Sequence, residues 1–359
     1  MFFLSIALAL LFSKGMKRKL FTILQYIFFL GLGIFFVWLT VKDITAADWQ
    51  HIKYSLGAAR HWLILPVLGM LLLSHYVRAL RWKILMEPMG YTPSTFNVFA
   101  AVMIGYLVNA GVPRLGEVVK CTLLAKYEKV RADKLVGTIV VERAIDLVCL
   151  MIVFFLALLF EGAVIGDYVA ELTGTFFQDK AGEVSVSRLV ITLSAVLAFF
   201  LIVYGLLKRF GHIDAVAKVK NVLKGISYGL LSIRAIKNKG TFIFQSLFIW
   251  ALYLFSTTAG IFALQETDHL GIGAGLTTLA VGSVGMIITP GGIGAYPLFV
   301  AGLMGLYGID THTIGMALGW LLWSVQTLIV LFGGIVFSAL FSYYNKKRQN
   351  RATRQQHQP

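Results

Sequence analysis

Six apolar stretches approach the ~20 residues that a helix needs to cross the hydrocarbon of a bilayer. They run at about Leu20 to Val41, Trp62 to Tyr76, Ala144 to Phe160, Val190 to Leu207, Phe242 to Leu264 and Thr313 to Tyr343. Only helices and closed barrels satisfy every backbone polar group in lipid, so a chain built on such stretches is expected to be an all-α polytopic integral membrane protein. The 58% apolar and 14% charged residues exclude a soluble globular domain, which carries roughly 25% charged residues.

Two further apolar segments, about Phe96 to Val112 and Gly271 to Tyr307, are interrupted by Gly, Pro, Asn and Thr. Charge decides how to read them. If each dips in and returns, from opposite faces, then 27 of the 32 Lys and Arg fall on one face of the membrane. The other face keeps 5 basic against 10 acidic residues. The positive-inside rule then places both termini in the cytoplasm. A full crossing at 96–112 would export the basic stretch Arg114 to Lys134 and degrade this bias. The expected fold is therefore about six full transmembrane helices plus two broken, re-entrant hairpins. Gly105 and Pro113 are eight positions apart, as are Gly282 and Pro290, which suggests two inverted-repeat halves.

Residues 1–15 read as an extension, because Met1 to Ser13 is too short to span and Met16 is followed at once by Lys17, Arg18 and Lys19. Residues 16–343 read as one transmembrane domain and 344–359 as a disordered basic cytoplasmic tail. Cys121 and Cys149 form neither a C-x-x-C pair nor a metal-ligand spacing, and no cofactor is expected. The net charge of +15 is read as topology and anionic lipid contact, with no nucleic-acid partner. Two amphipathic basic stretches, Glu117 to Lys134 and Ala215 to Lys239, read as helices in the headgroup layer.

Ionisable groups inside spans are costly and mark a pathway or a pair. Three clusters stand out. Arg78, Arg81 and Trp82, with Lys83, close the second stretch; the two Arg share a face that can fork onto phosphate, while Lys83 reads as a snorkelling anchor. A snorkelling belt stays open as an alternative for Arg78 and Arg81. The second cluster runs from Gly105 and Tyr106 through Asn109, Gly111, Pro113, Arg114, Gly116 and Glu117 to Lys120. Its glycines and Pro113 supply a helix break, Asn109 needs a hydrogen-bond partner, and Glu117 is expected to hold Arg114 or Lys120. The third joins Glu142, Arg143 and Asp146, whose carboxylates suit counter-ions for the basic clusters better than acid and base catalysis.

The motifs R-x-x-R-W, G-Y-x-x-N-x-x-x-P-R-x-G-E and G-T-x-x-x-E-R-x-x-D, in that order from Arg78 to Asp146, resemble the flippase-like family, also called the lysylphosphatidylglycerol synthase transmembrane region. The resemblance covers about residues 17 to 343. It implies a polytopic inner-membrane protein related to the membrane half of the bacterial multiple peptide resistance factor, which moves aminoacylated phosphatidylglycerol between leaflets. The soluble aminoacyl-transferring half is absent from this sequence, so lipid synthesis is not carried over. The late segment with Pro290, Gly291, Gly292, Gly294 and Tyr296 matches the family's second break. Where many relatives have an acidic residue a few positions on, this chain has Pro297, Leu298 and Phe299, so no carboxylate role is assigned there.

The expected function is binding and translocation of an anionic phospholipid or lipid-linked precursor. Arg78, Arg81, Trp82, Asn109, Arg114, Lys120 and Arg143 would bind the headgroup. Glu117, Glu142 and Asp146 would orient those cations, and Tyr106 and Tyr296 would line the passage. Gly111, Pro113, Gly116, Pro290, Gly291, Gly292 and Gly294 would supply the breaks and hinges. The chain is not expected to be an enzyme, since no nucleophile, metal set or Walker motif accompanies the carboxylates. A lipid-phosphate enzyme and a non-transporting partner in envelope glycolipid assembly are the rival classes. Candidate partners are anionic lipids, a second copy of the chain, or an envelope-biosynthesis protein.

Overall fold

The computed structural model describes residues 28, 30–112, 114–177 and 236–356. The chain is an all-helical, multi-pass membrane protein. Among the described residues the α-helices are α1 (Leu30–Val41), α2 (Ala46–Ala58), α3 (Ile64–Met86), α4 (Thr95–Gly111), α5 (Leu115–Glu128), α6 (Ala132–Phe177), α7 (Lys239–Ile261), α8 (Ile272–Ile288), α9 (Ala295–Leu306) and α10 (Met316–Gln356). Among the described residues four helices are long and apolar enough to cross a membrane: His61–Met89, Ala132–Gly162, Lys239–Ile261 and Thr311–Asn350. The pair α1 and α2, bent by 98°, makes a fifth if it is one span. Four of the six expected crossings thus coincide with long helices. Those at 20–41 and 190–207 lie partly and wholly outside the described residues, as do residues 1–15 and most of 215–239.

Two of these helices outrun the apolar stretches that announced them. α3 continues ten residues past Tyr76, through Arg78 and Arg81. α6 starts twelve residues before Ala144 and carries Glu142 and Arg143 inside it. Hydropathy scores each charge as if it faced lipid alone. Here the charges of α3 and α6 face each other, which lets both helices continue through the bundle.

The interrupted segments form two hairpins of short helices. α4 and α5 have 17 and 14 residues, and α8 and α9 have 17 and 12. At 1.5 Å per residue even the longer arms reach about 25 Å, short of a ~30 Å hydrocarbon core. The open end of the α4/α5 hairpin meets the last turns of α10: Asn97 and Asn345 exchange amide hydrogen bonds of 3.1 and 3.0 Å, and Arg348 pairs with Glu128 at 2.7 Å. The open end of the α8/α9 hairpin lies at the opposite end of the bundle. There Gly273 abuts Glu161, and the hydroxyls of Thr277 and Tyr307 are 2.9 Å apart. The hairpins therefore enter from opposite ends. They also meet: α4 of the first touches the Pro290–Gly292 turn of the second.

α3 to α6 and α7 to α10 repeat one plan: a 23-residue helix, a 17-residue helix, a break, a short helix and a long one. The halves are antiparallel, because Arg60 before α3 bonds Ala263 and Asp268 just beyond α7. They also exchange partners: α4 packs on α10, α8 packs on α6, and α3 packs on α7. That is the inverted repeat suggested by the shared spacing of eight.

Several details differ from the expectation. The left-handed residue at the first break is Arg114, with φ 67°, while Gly111 ends α4 in open space and Pro113 lies outside the described residues. Gly116 is inside α5, where it lets the arms touch. At the second break Gly291, Gly292 and Gly294 do take positive φ, of 61°, 73° and 71°. On α10 and the turn before it, Gly319 and Gly315 pack on Pro297 and Ala301 of α9, a small-residue contact within the chain. The tail expected to be disordered from residue 344 continues α10 as a helix to Gln356. Its Lys, Arg and Gln residues favour a helix, and Asn345 and Arg348 tie it to the first hairpin.

Candidate functional site

α3, α5, α6 and α7 converge on a charge network in the half of the bundle nearest the open end of the first hairpin. Arg78 and Arg81 sit one turn apart on α3 and face Glu142 and Asp146, one turn apart on α6. Arg78 Nη1 donates to Glu142 Oε1 at 3.1 Å and to Asp146 Oδ2 at 2.5 Å. Arg81 Nη2 donates to Asp146 Oδ1 at 2.7 Å. From α5, Lys120 Nζ donates to the other Glu142 oxygen at 3.0 Å and lies 4.5 Å from the centre of the Trp82 ring. From α7, Tyr253 Oη and Ser246 Oγ accept from Arg78 and Arg81, each at 3.2 Å.

At the edge, Arg143 donates to Glu117 Oε1 at 3.1 Å, and Asn109 Nδ2 donates to Glu117 Oε2 at 3.2 Å. Asn109 Oδ1 accepts from the Gly116 backbone N–H at 2.7 Å, which pins the two arms of the hairpin together. Beside them opens a narrow cleft lined by Val102, Gly105, Tyr106, Asn109, Gly116, Glu117, Lys120 and Arg143. Glu142 lies seven residues beyond Leu135, where α6 turns apolar, so the network sits about 10 Å along that apolar section.

Among the described residues four cations thus meet three carboxylates, one positive charge in excess. The buried members are expensive alone and tolerable together, because each cation has a carboxylate within reach and the carboxylates accept from more than one donor. The Nε–H groups of Arg78 and Arg81 and Nδ1 of His75 find no hydrogen-bond partner among the described residues.

The network joins Arg78, Arg81, Lys120, Arg143, Glu117, Glu142, Asp146 and Asn109, and Tyr106 lines the cleft. Lys120 pairs with Glu142 and Glu117 pairs with Arg143, so cross-helix partners replace the expected i, i+3 pairing of Glu117 with Lys120. Trp82, expected at headgroup level, is fully buried and donates to Thr138 Oγ1 at 2.8 Å. Arg81 has no exposed surface either. Both lie on the inward face of a helix that runs deeper than the hydropathy suggested. Arg114 is exposed at the hairpin tip, outside the cleft lining.

Tyr296, expected to line the same passage, is buried in the second hairpin, where Gly282 and Gly285 make room for it and Gln326 donates to its hydroxyl at 3.2 Å. Beside it Trp323 donates to the Gly291 carbonyl at 2.8 Å. The second half therefore has a neutral hub where the first has a charged one. The sequence reading missed Tyr253 and Ser246. They lie seven positions apart on one face of α7, a signal too common in membrane helices to single them out.

Fold and network define an integral membrane protein of two inverted halves, with a charge cluster buried beside the broken helix of one half. The family model described as the lysylphosphatidylglycerol synthase transmembrane region matches residues 6–335, and the chain belongs to that family. A UPF0104 membrane protein of Methanocaldococcus jannaschii is 30% identical over 98 residues, which is 26% of this chain and 29% of that relative. The match therefore spans under a third of the relative's length. No solved structure matches the chain.

Proposed function

We propose that this protein binds the anionic headgroup of a phospholipid or lipid-linked precursor in the Arg143 cleft and carries it between the leaflets of the bacterial cytoplasmic membrane. The observation that carries this reading is the excess of one cation, among the described residues, in a network whose most exposed ion pair is Arg143 with Glu117. A phosphate can lie against Arg143 and Asn109 while Lys120, Arg78 and Arg81 hold a positive potential behind it. The acyl tails stay in the bilayer. Family membership supports a lipid-related role. The opposed hairpins supply two elements that can move separately, one at each leaflet. In this reading the carboxylates hold cations in register and perform no chemistry, so the protein acts as a carrier, with anionic lipids as its partners.

The test is transbilayer movement of fluorescent phosphatidylglycerol in proteoliposomes, with Arg143→Ala beside the wild type. Movement above protein-free vesicles, falling roughly three- to tenfold in the variant, is expected, the scale of one partly exposed charge-assisted contact. Equal rates with and without protein would refute the reading.

The same reading places both termini in the cytoplasm. Cysteines introduced at Lys126 and Lys53 report on it, because the native Cys121 and Cys149 are buried. In intact cells an impermeant maleimide should label position 53 and spare position 126. Labelling of both from outside would overturn the sidedness.

A further inference from the structure

We propose that Glu117 is an internal competitor for the headgroup site: a lipid phosphate binds by replacing the Glu117 carboxylate on Arg143 and Asn109, which selects amine-free anionic headgroups over cationic ones. This rests on the lipid-binding reading above and adds the exchange and the sign of the selectivity.

Exposure sets the order in which the pairs can open. Side-chain exposure is 0% and 13% for the Arg81–Asp146 pair, 6% and 1% for Arg78–Glu142, and 7% and 1% for Lys120–Glu142. It is 47% and 22% for Arg143–Glu117. Opening an inner pair strands charge in the protein, whereas Glu117 can swing into water. Of the other carboxylates near Arg143, Asp146 is 3.9 Å away and already shared between Arg78 and Arg81, and Glu142 is held by Arg78 and Lys120. Arg143 is therefore the cation of this network whose main partner can leave.

What Glu117 vacates is a prepared anion seat. Its two oxygens take one N–H from the Arg143 guanidinium and one from the Asn109 amide. The amide is aimed by its own oxygen, which is fixed on the Gly116 backbone N–H. Two phosphate oxygens can accept the same pair of donors, and the cleft continues from there to Lys120 and Tyr106. A headgroup carrying an aminoacyl ammonium would bring its cation toward Arg143 and Lys120 and meet like charge. The seat therefore runs against the aminoacylated, net cationic lipid that the resemblance suggests.

The experiment measures binding of short-chain phosphatidylglycerol, phosphatidylcholine and lysylphosphatidylglycerol to the purified full-length chain. Glu117 is partly exposed and its loss leaves the inner pairs intact, so Glu117→Gln should fold; its melting temperature is measured alongside. Expected for the wild type is phosphatidylglycerol bound more tightly than phosphatidylcholine, and lysylphosphatidylglycerol weakest. Glu117→Gln should tighten phosphatidylglycerol roughly three- to tenfold, the scale of one partly exposed charge contact. Glu117→Asp, which keeps the competitor, should stay near wild type. Wild-type binding that Glu117→Gln leaves unchanged or weakens would overturn the exchange alone, and tighter binding of the lysyl lipid would overturn the selectivity. No binding of any lipid by the wild type would refute the functional reading and this inference with it.

Discussion

Replacing Glu142 by Ala is expected to cost about 3–5 kcal/mol, the range for removing one partner of a buried ion pair. Its two oxygens hold Arg78 at 3.1 Å and Lys120 at 3.0 Å, and its side chain is 1% exposed. Without it Lys120 keeps the Trp82 ring but no carboxylate among the pairs described, and Arg78 must share Asp146 with Arg81. Arg78 is then left short of a carboxylate in the buried interior, and Lys120 faces only the narrow cleft it lines. The loss is read as a fall in melting temperature and in monodisperse yield after extraction.

Two companions separate charge from shape. Glu142→Gln keeps the volume and should recover part of the loss. Lys120→Met in the Glu142→Ala background removes one stranded cation and should restore roughly 0.5–3 kcal/mol, the coupling expected between contacting residues. A Glu142→Ala protein as stable as wild type would show that the network is not closed to water.

The second large effect is expected from a single methyl group. A Cβ at Gly116 would meet the Gly105 carbonyl oxygen on the facing arm and the Asn109 amide. One is backbone and the other is held by its bonds to Gly116 and Glu117, so neither can step aside cheaply. Gly116→Ala must push the arms of the first hairpin apart and break the bond from the Gly116 N–H to Asn109. Overpacking of this kind costs about 1–3 kcal/mol. Because the Asn109 amide is one of the two donors of the proposed anion seat and is aimed by its bond to Gly116, phosphatidylglycerol binding should weaken with it. Gly111→Ala is the control: its Cβ meets nothing within 4 Å, so melting temperature and binding should stay at the wild-type values. Equal behaviour of the two variants would show that the arms do not touch at Gly116.

That contrast marks how far the residues could be read in one dimension. Gly111 and Gly116 look alike in the sequence, as two glycines flanking Pro113 in an apolar run. One ends a helix in open space, and the other is a contact surface between helices. Nothing local distinguishes them, since the difference lies in what faces each across the hairpin. Arg78 and Arg81 have the same history. At the end of a short apolar stretch they suit either an interfacial belt or a binding site, and the choice depends on Glu142 and Asp146, more than sixty positions away.

Other features were legible because their causes are local. Gly291, Gly292 and Gly294 take positive φ because only glycine does so without steric cost. The clustering of Glu142 and Asp146 with the basic groups follows from the price of a lone charge in lipid, whatever the helix arrangement. The shared spacing of Gly105 to Pro113 and Gly282 to Pro290 reflected a repeat that the helix lengths and the exchanged packing display in full.

By itself, then, the sequence determined the solvent, the helical class, the places where the chain breaks and the need for its buried charges to meet opposite ones. Each of these follows from a residue's own cost in hydrocarbon. Tertiary structure alone decided which cation meets which carboxylate, that Trp82 and Arg81 face inward, that Tyr296 belongs to a separate neutral hub, and that Arg143 and Glu117 stay at the mouth. Pairing and exposure are properties of the space between helices, and a one-dimensional pattern of costs is satisfied equally by several arrangements of that space.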